Sequence, residues 1–219
     1  MSHHFVDLLE DLKSRLARMT ALVQQIVDLS VESIFSANAE IAQRAIDSDT
    51  RIDEEEVVVE KSAIDLIALY QPTAVDLRLI SAIIKANNDF ERIADCAVNI
   101  AQRVLLLARL EAYGAPDDLR LMGTSVTTTL RETIKAFNFQ EDQLARQVLR
   151  SDDVVDALYH QIVQDMLTSM ETNSQKVNAD LAYIMIAKNL ERIADHCTNI
   201  AENVIYVASG KIIRHRHAG

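Results

Sequence analysis

The chain is poor in the residues that interrupt regular structure. It holds four glycines and two prolines in 219 residues. A β-sandwich or barrel of short strands needs far more turn-formers than this. Cysteine is scarce too. Cys96 and Cys197 are the two present, which excludes a disulfide framework and suits reduced, half-buried thiols. No stretch approaches the roughly 20 uninterrupted apolar residues of a membrane span. The opening, "MSHHFVDLLEDLKSRL", lacks the basic-then-apolar order of a secretory signal. The expectation is a soluble, unexported protein of the cytoplasm. Basic charge is also in deficit: 22 Lys and Arg stand against 33 Asp and Glu, a net charge of −11. That argues against nucleic acid as a partner and favours cations or basic protein surfaces. A Gly-rich phosphate loop, a nucleophile elbow, a Cys-x-x-Cys pair and the Glu-x-x-His motif of di-iron bundles are all absent.

What remains is a sequence rich in Ala, Leu, Ile, Glu, Gln and Arg, mostly good helix formers. An all-α fold is expected. Breaks fall at Pro72, at Gly114, Pro116 and Gly123, and at Gly210. Ser48 and Ser151, each before acidic residues, read as helix N-caps. The resulting helices are about 5–46, 49–70, 74–111, 119–149, 152–172 and 178–209. Apolar residues recur at helical spacing along the third (Ile80, Ile83, Phe90, Ile93, Ala97, Ile100, Val104). They recur likewise along the sixth (Leu181, Ile184, Leu190, Ile193, Cys197, Ile200, Val204), which marks core-facing stripes.

The sequence also repeats itself. "ERIADCAVNIAQ" from Glu91 returns as "ERIADHCTNIAE" from Glu191. Ser48, Asp49 and Asp53 are matched by Ser151, Asp152 and Asp156. The first half has three extra residues around its Pro72 turn. Two tandem, related three-helix bundles follow, residues 1–113 and 114–219, each able to form a small core of its own.

Inside the repeat, Glu91, Asp95, Asn99 and Gln102 form one polar row beside the apolar stripe. Glu191, Asp195, Asn199 and Glu202 form the second. Acids four apart repel each other by a few tenths of a kcal/mol. Arg92 and Arg192 are near but project about 100° away. A second acid pair lies on the preceding helix in each half: Asp49 with Asp53, and Asp152 with Asp156. Asp53 and Glu91 are equidistant from Pro72, and so are Asp49 and Asp95. Asp156 with Glu191, and Asp152 with Asp195, centre on "ETNSQK" (171–176). In antiparallel helices of equal rise, equidistance from the turn means equal height. Four carboxylates are therefore expected at one level in each half. A multivalent cation relieves such a group, and oxygen ligands suit magnesium, manganese or iron. The competing reading is that Asp49, Asp53, Asp152 and Asp156 are ordinary helix-start acids. His160 and His196 have no counterpart in the other half and read as exposed or capping histidines.

"NNDFERIADCAVNIAQRV" and "KNLERIADHCTNIAENVIYVASGKIIRH" closely resemble the two signature segments of the PhoU family of bacterial phosphate-signalling regulators. The likeness extends over nearly the whole chain, including the Gly210, Arg214, His215 ending. It implies two three-helix bundles side by side and a non-enzymatic cytoplasmic negative regulator. Its partners would be the ATPase subunit of the phosphate ABC transporter and the sensor histidine kinase of the phosphate regulon. The membrane would be reached only through those partners, and a homodimer is in keeping with the family. The resemblance also implies bound metal, with iron, manganese, magnesium or zinc as candidates. The ligands would be Asp49, Asp53, Glu91 and Asp95 in the first half, and Asp152, Asp156, Glu191 and Asp195 in the second. Gln102 departs from the family's acid there, so the first site is expected to hold fewer or weaker-bound ions. Two other readings stand beside this one: a hydrolase-like enzyme with a carboxylate-bridged metal pair, and a metal-free helical scaffold. The basic tail "KIIRHRH" (211–217) reads as a solvated end, or as a contact with an acidic partner or membrane face.

Overall fold

In the computed structural model, which describes residues 3–36, 38–110 and 113–210, nearly every described residue is helical. The helices are α1 (His3–Ser36), α2 (Ala39–Tyr70), α3 (Ala74–Arg109), α4 (Asp117–Phe139), α5 (Asp142–Thr172) and α6 (Val177–Ser209). A single 3₁₀ turn, Ser174–Lys176, precedes α6. No strand occurs among the described residues. No described helix is long and apolar enough to cross a membrane.

The element count matches the sequence reading, but two boundaries move by about ten residues. The first break falls between Ser36 and Ala39. There the Asn38 side chain, with the backbone extended, accepts hydrogen bonds from the Glu40 and Ile41 amides at 2.8 and 3.3 Å. This is an N-cap. The matching break in the second half is at Gln140, which adopts the left-handed conformation (φ 54°). Its side-chain amide donates to the Phe137 carbonyl at 2.6 Å, while the Glu141 amide reaches the Ala136 carbonyl. The second hydrogen bond closes the helix end in Schellman fashion. Ser48 and Ser151 are not caps. Both lie inside helices, and their hydroxyls donate back to the Ala45 and Val148 carbonyls at 2.8 Å. Serine in mid-helix does this readily, so its presence marked no boundary. Gly123 is likewise no break. It sits within α4, where an added Cβ would meet Val31 Cγ1 of α1 at 3.0 Å. Its missing side chain lets the two helices approach.

α2 and α3 form an antiparallel hairpin about Pro72, and α1 packs on both. α5 and α6 form the equivalent hairpin, backed by α4. The most extensive contact in the molecule joins α3 to α6. These two run antiparallel: Asp89 meets His196, and Arg103 near the end of α3 lies beside Leu181 near the start of α6. The two copies of the repeated phrase therefore cross at the middle of this seam.

The core does not divide into two. Buried residues from all six helices form one continuous cluster. Phe90 of α3 stacks edge-on against Phe137 of α4 at 6.3 Å, across the boundary between halves. The stripe expected on α3 is buried throughout. On α6 the stripe fails at Leu181, which is 52 % exposed. Ala179, Ala182, Tyr183 and Ile186 supply the buried face there, because they lie on the side of the helix that Leu190 occupies, whereas Leu181, nine residues before Leu190, lies opposite it.

Candidate metal centre

Asp49 and Asp53 occupy the interior of α2, and Asp152 and Asp156 the interior of α5, about ten residues or more from each N-terminus. The helix dipole acts within the first turn. The helix-start reading of these acids is thereby overturned.

Folding each hairpin brings the acid pairs to one level. Asp49 is pushed up to about 6, first by burial and then by the charges of Asp53 and Asp95. Glu91 is raised by burial, by Asp95 and by Asp53, against the opposing charge of Arg92. In the second half Asp152 is also pushed up to about 6, by burial, then by Asp156, Asp195, Asp153 and Glu191. Asp195 is raised by burial and Glu191, with Lys188 opposing. All four expected carboxylates in each half thus lie within one another's field, at the level that equidistance from the turn requires. Asp53, Asp156 and Asp195 are exposed. Asp49 and Asp152 are half-buried, and Asp152 Oδ1 is enclosed with no hydrogen-bond partner.

Basic residues are closer than the helical angles implied. Arg92 bends back along α3 and pairs with Glu91 at 3.2 Å and Asp95 at 2.9 Å. Glu91 is its sequence neighbour, about 100° round the helix, whereas Asp95 is an i,i+3 neighbour on the same face. On α6 the corresponding work falls to Lys188, whose ammonium holds Glu191 at 2.6 Å. With these cations in place, no three His, Cys, Asp or Glu side chains among the described residues converge on one point at metal-ligand spacing. The donors fit a hard cation in chemistry and in number. Burial disfavours the ionisation of Asp49, Glu91, Asp152 and Asp195, and Asp152 Oδ1 is enclosed without a partner. Asp49, Asp53, Glu91 and Asp95, and Asp152, Asp156, Glu191 and Asp195, are the residues that would hold such ions.

Two features of the site escaped the sequence. Glu56, one turn beyond Asp53, joins the first acidic level, its carboxyl raised by burial, Glu60 and Asp53. The run Glu54-Glu55-Glu56 was visible but gave no reason to choose its last member. His196 is neither exposed nor a cap. Its Nδ1 lies 2.9 Å from Asp89 Oδ1, with both side chains largely buried across the α3/α6 seam. Both residues depart from the repeat, where Asn189 and Cys96 stand instead, and that shared departure was the available signal. Cys96 and Cys197 are fully buried, and burial raises their thiols to about 11 and about 12. They are packing groups, inert as nucleophiles at neutral pH. His160 is exposed, as expected. The tail at 211–217 and the Arg214–His215 ending lie outside the described residues.

A duplicated all-helical bundle, with an acidic level on each hairpin and its repeated phrases crossed at a central seam, defines the class of protein. The PhoU domain profile matches the chain twice, over residues 16–104 and 119–204, and these spans contain all eight candidate acids. The phosphate-specific transport system accessory protein PhoU homologue of Aquifex aeolicus is 37% identical over 209 residues, covering 95% of each chain. The homologue of Pseudomonas aeruginosa is 33% identical over 216 residues, covering 98% of this chain and 89% of its own. The crystal structure of PhoU from Pseudomonas aeruginosa superposes with a TM-score of 0.92, at 33% identity, covering 94% of this chain and all of that one. The phosphate transport system regulatory protein PhoU from Streptococcus pneumoniae gives a TM-score of 0.88 at 25% identity, covering 95% and 99%. The chain belongs to the PhoU family.

Proposed function

We propose that this protein is an accessory protein of a phosphate-specific transport system and a cytoplasmic negative regulator of phosphate uptake and of the phosphate regulon. It acts as a metal-binding adaptor between the transporter's ATPase subunit and the sensor histidine kinase. The observation that carries the reading is the duplicated level of four mutually repelling carboxylates, with Asp49 and Asp152 half-buried, in a chain similar over its length to such accessory proteins. Bound cation supplies the positive charge that makes each level tolerable. The chain's own residues then present two neutralised hairpin faces flanking the α3/α6 seam. The acidic remainder of the surface, at a net charge of −11, favours basic partner surfaces. The hydrolase-like alternative gains no supporting observation, because the basic groups that act on the acids, Arg92, Lys188 and His196, are each already paired with a carboxylate.

The test is alkaline phosphatase activity in phosphate-rich medium, in the native organism with the gene deleted. The intact gene restores low activity. A variant carrying D49N, D95N, D152N and D195N, expressed at equal level, leaves it high. Full repression by that variant would overturn the role given to the acids.

A further inference from the structure

The second half carries a cation of its own on its acidic level. Lys188 stands one turn before Glu191 on α6, and its ammonium donates to both carboxylate oxygens, at 2.8 and 2.6 Å. The same nitrogen lies 5.2 Å from the centre of the Tyr159 ring on α5, so it bridges the hairpin that bears the acids. Its charge reaches Asp195 as well, where it opposes the neighbouring carboxylates. Asn88 occupies the matching position of the first half, exposed and neutral. The lysine is therefore an addition to the repeated pattern, not part of it. Its side chain keeps 44 % of its surface in water, and the four-carbon stem is flexible, so the head group can withdraw without disturbing the core.

An ammonium and a divalent cation cannot both be served by Glu191 at full strength. Each attracts the carboxylate, and each repels the other. We infer that Lys188 is a built-in competitor for the second half's cation, holding Glu191 when no metal is bound and setting that site's affinity below what its four carboxylates would give. This rests on the metal-binding reading above. It makes the two halves unequal for a reason separate from the Gln102 and Glu202 difference. In the first half Arg92 is the resident cation, and it divides its guanidinium between Glu91 and Asp95. In the second, Lys188 concentrates a compact charge on one ligand.

Manganese binding to the full-length protein, measured by isothermal titration, tests this. A D49N/D95N background confines the readout to the second half. There K188N is expected to tighten Mn²⁺ binding about tenfold at low salt, an effect that shrinks as salt screens the charge. K188R, which keeps the charge, stays within about threefold of the parent. In the opposite background, D152N/D195N, K188N leaves the first half's affinity unchanged. Thermal melts of each variant confirm that the fold is kept. Equal affinity with and without K188N in the first background would overturn the competitor role while leaving the metal reading intact. Absence of Mn²⁺ binding in every variant would overturn both.

Discussion

Replacing Asp152 by asparagine should stabilise the metal-free protein, although it alters a polar group at a half-buried position. Asp152 Oδ1 is enclosed without a partner, and the carboxyl is pushed from 3.8 up to about 6, chiefly by burial and secondarily by Asp156 and Asp195. A displacement of that size corresponds to about 3 kcal/mol. Asp152 is partly open to solvent, and screening reduces the usable effect to roughly 1 kcal/mol. The sign follows from linkage. Because the folded value lies above the unfolded one, the folded form retains a proton between about pH 4 and 6 that the unfolded chain has released. Stability therefore falls as pH rises through that window, and the penalty is complete above it. In chelator at pH 7.5, D152N should raise the urea midpoint by about 0.4 M for a slope near 2.5 kcal/mol/M. At pH 4.5 the gain should shrink to about a third. In saturating Mn²⁺ the sign should reverse, because the wild type gains binding energy that the variant has lost. A variant that is less stable than wild type in chelator at pH 7.5, or equally stabilised at both pH values, would refute the reasoning.

Other outcomes follow from the same structure. Metal-free wild type should lose about 1 kcal/mol between pH 4.5 and 7.5 from Asp49 and Asp152 together, and Mn²⁺ should flatten the decline; urea titrations at three pH values measure it. Tyr113→Phe should cost about 2 kcal/mol, because the Tyr113 hydroxyl donates to Asp180, a fully buried carboxylate whose other oxygen already lacks a partner. Its mark would be a lower melting temperature and faster hydrogen exchange around residues 113–116. Gly123→Ala should stay within about 1 kcal/mol of wild type, since better helix propensity offsets the squeeze on Val31, whereas Gly123→Leu should cost about 3 kcal/mol; thermal melts separate the two.

The class of fold and the level of the acids were legible because both rest on periodicity. Helical spacing located α3 and α6, and equal rise on either side of Pro72 put Asp49 opposite Asp95 and Asp53 opposite Glu91. Helix ends were harder where the signals were local and shared. Ser48 followed by acids looks the same as a cap whether or not the chain continues through it. The true stops, Asn38 and Gln140, carry neither glycine nor proline. At Gln140, a non-glycine at φ 54°, the side chain adds a hydrogen bond to the Phe137 carbonyl at the helix end. How the two halves share their interior is not written in the repeat. Related halves can each close on themselves or pack into one cluster, and here the α3/α6 seam, with Phe90 against Phe137, joins them. The resident cations were overlooked for other reasons. Arg92 with Asp95, and Lys188 with Glu191, are i,i+3 neighbours on one helix face. The 100° offset of Arg92 from Glu91 hides its closeness to Asp95, and Asn88 stands in place of Lys188 in the first half, so reasoning from the repeat passed over the lysine. The Asp89–His196 link breaks the repeat on both sides, so reasoning from the repeat set it aside.

The central claim is that filling the acidic levels with cation makes the bundle competent to dock on the transporter. The most direct measurement is equilibrium binding of this protein to the isolated ATPase subunit of its own phosphate transporter, in Mn²⁺ and in chelator, for wild type and for D49N/D95N/D152N/D195N. The account predicts binding by wild type in Mn²⁺ that weakens by about tenfold or more in chelator, and weak binding by the variant in both. Equal affinity under all four conditions would contradict it.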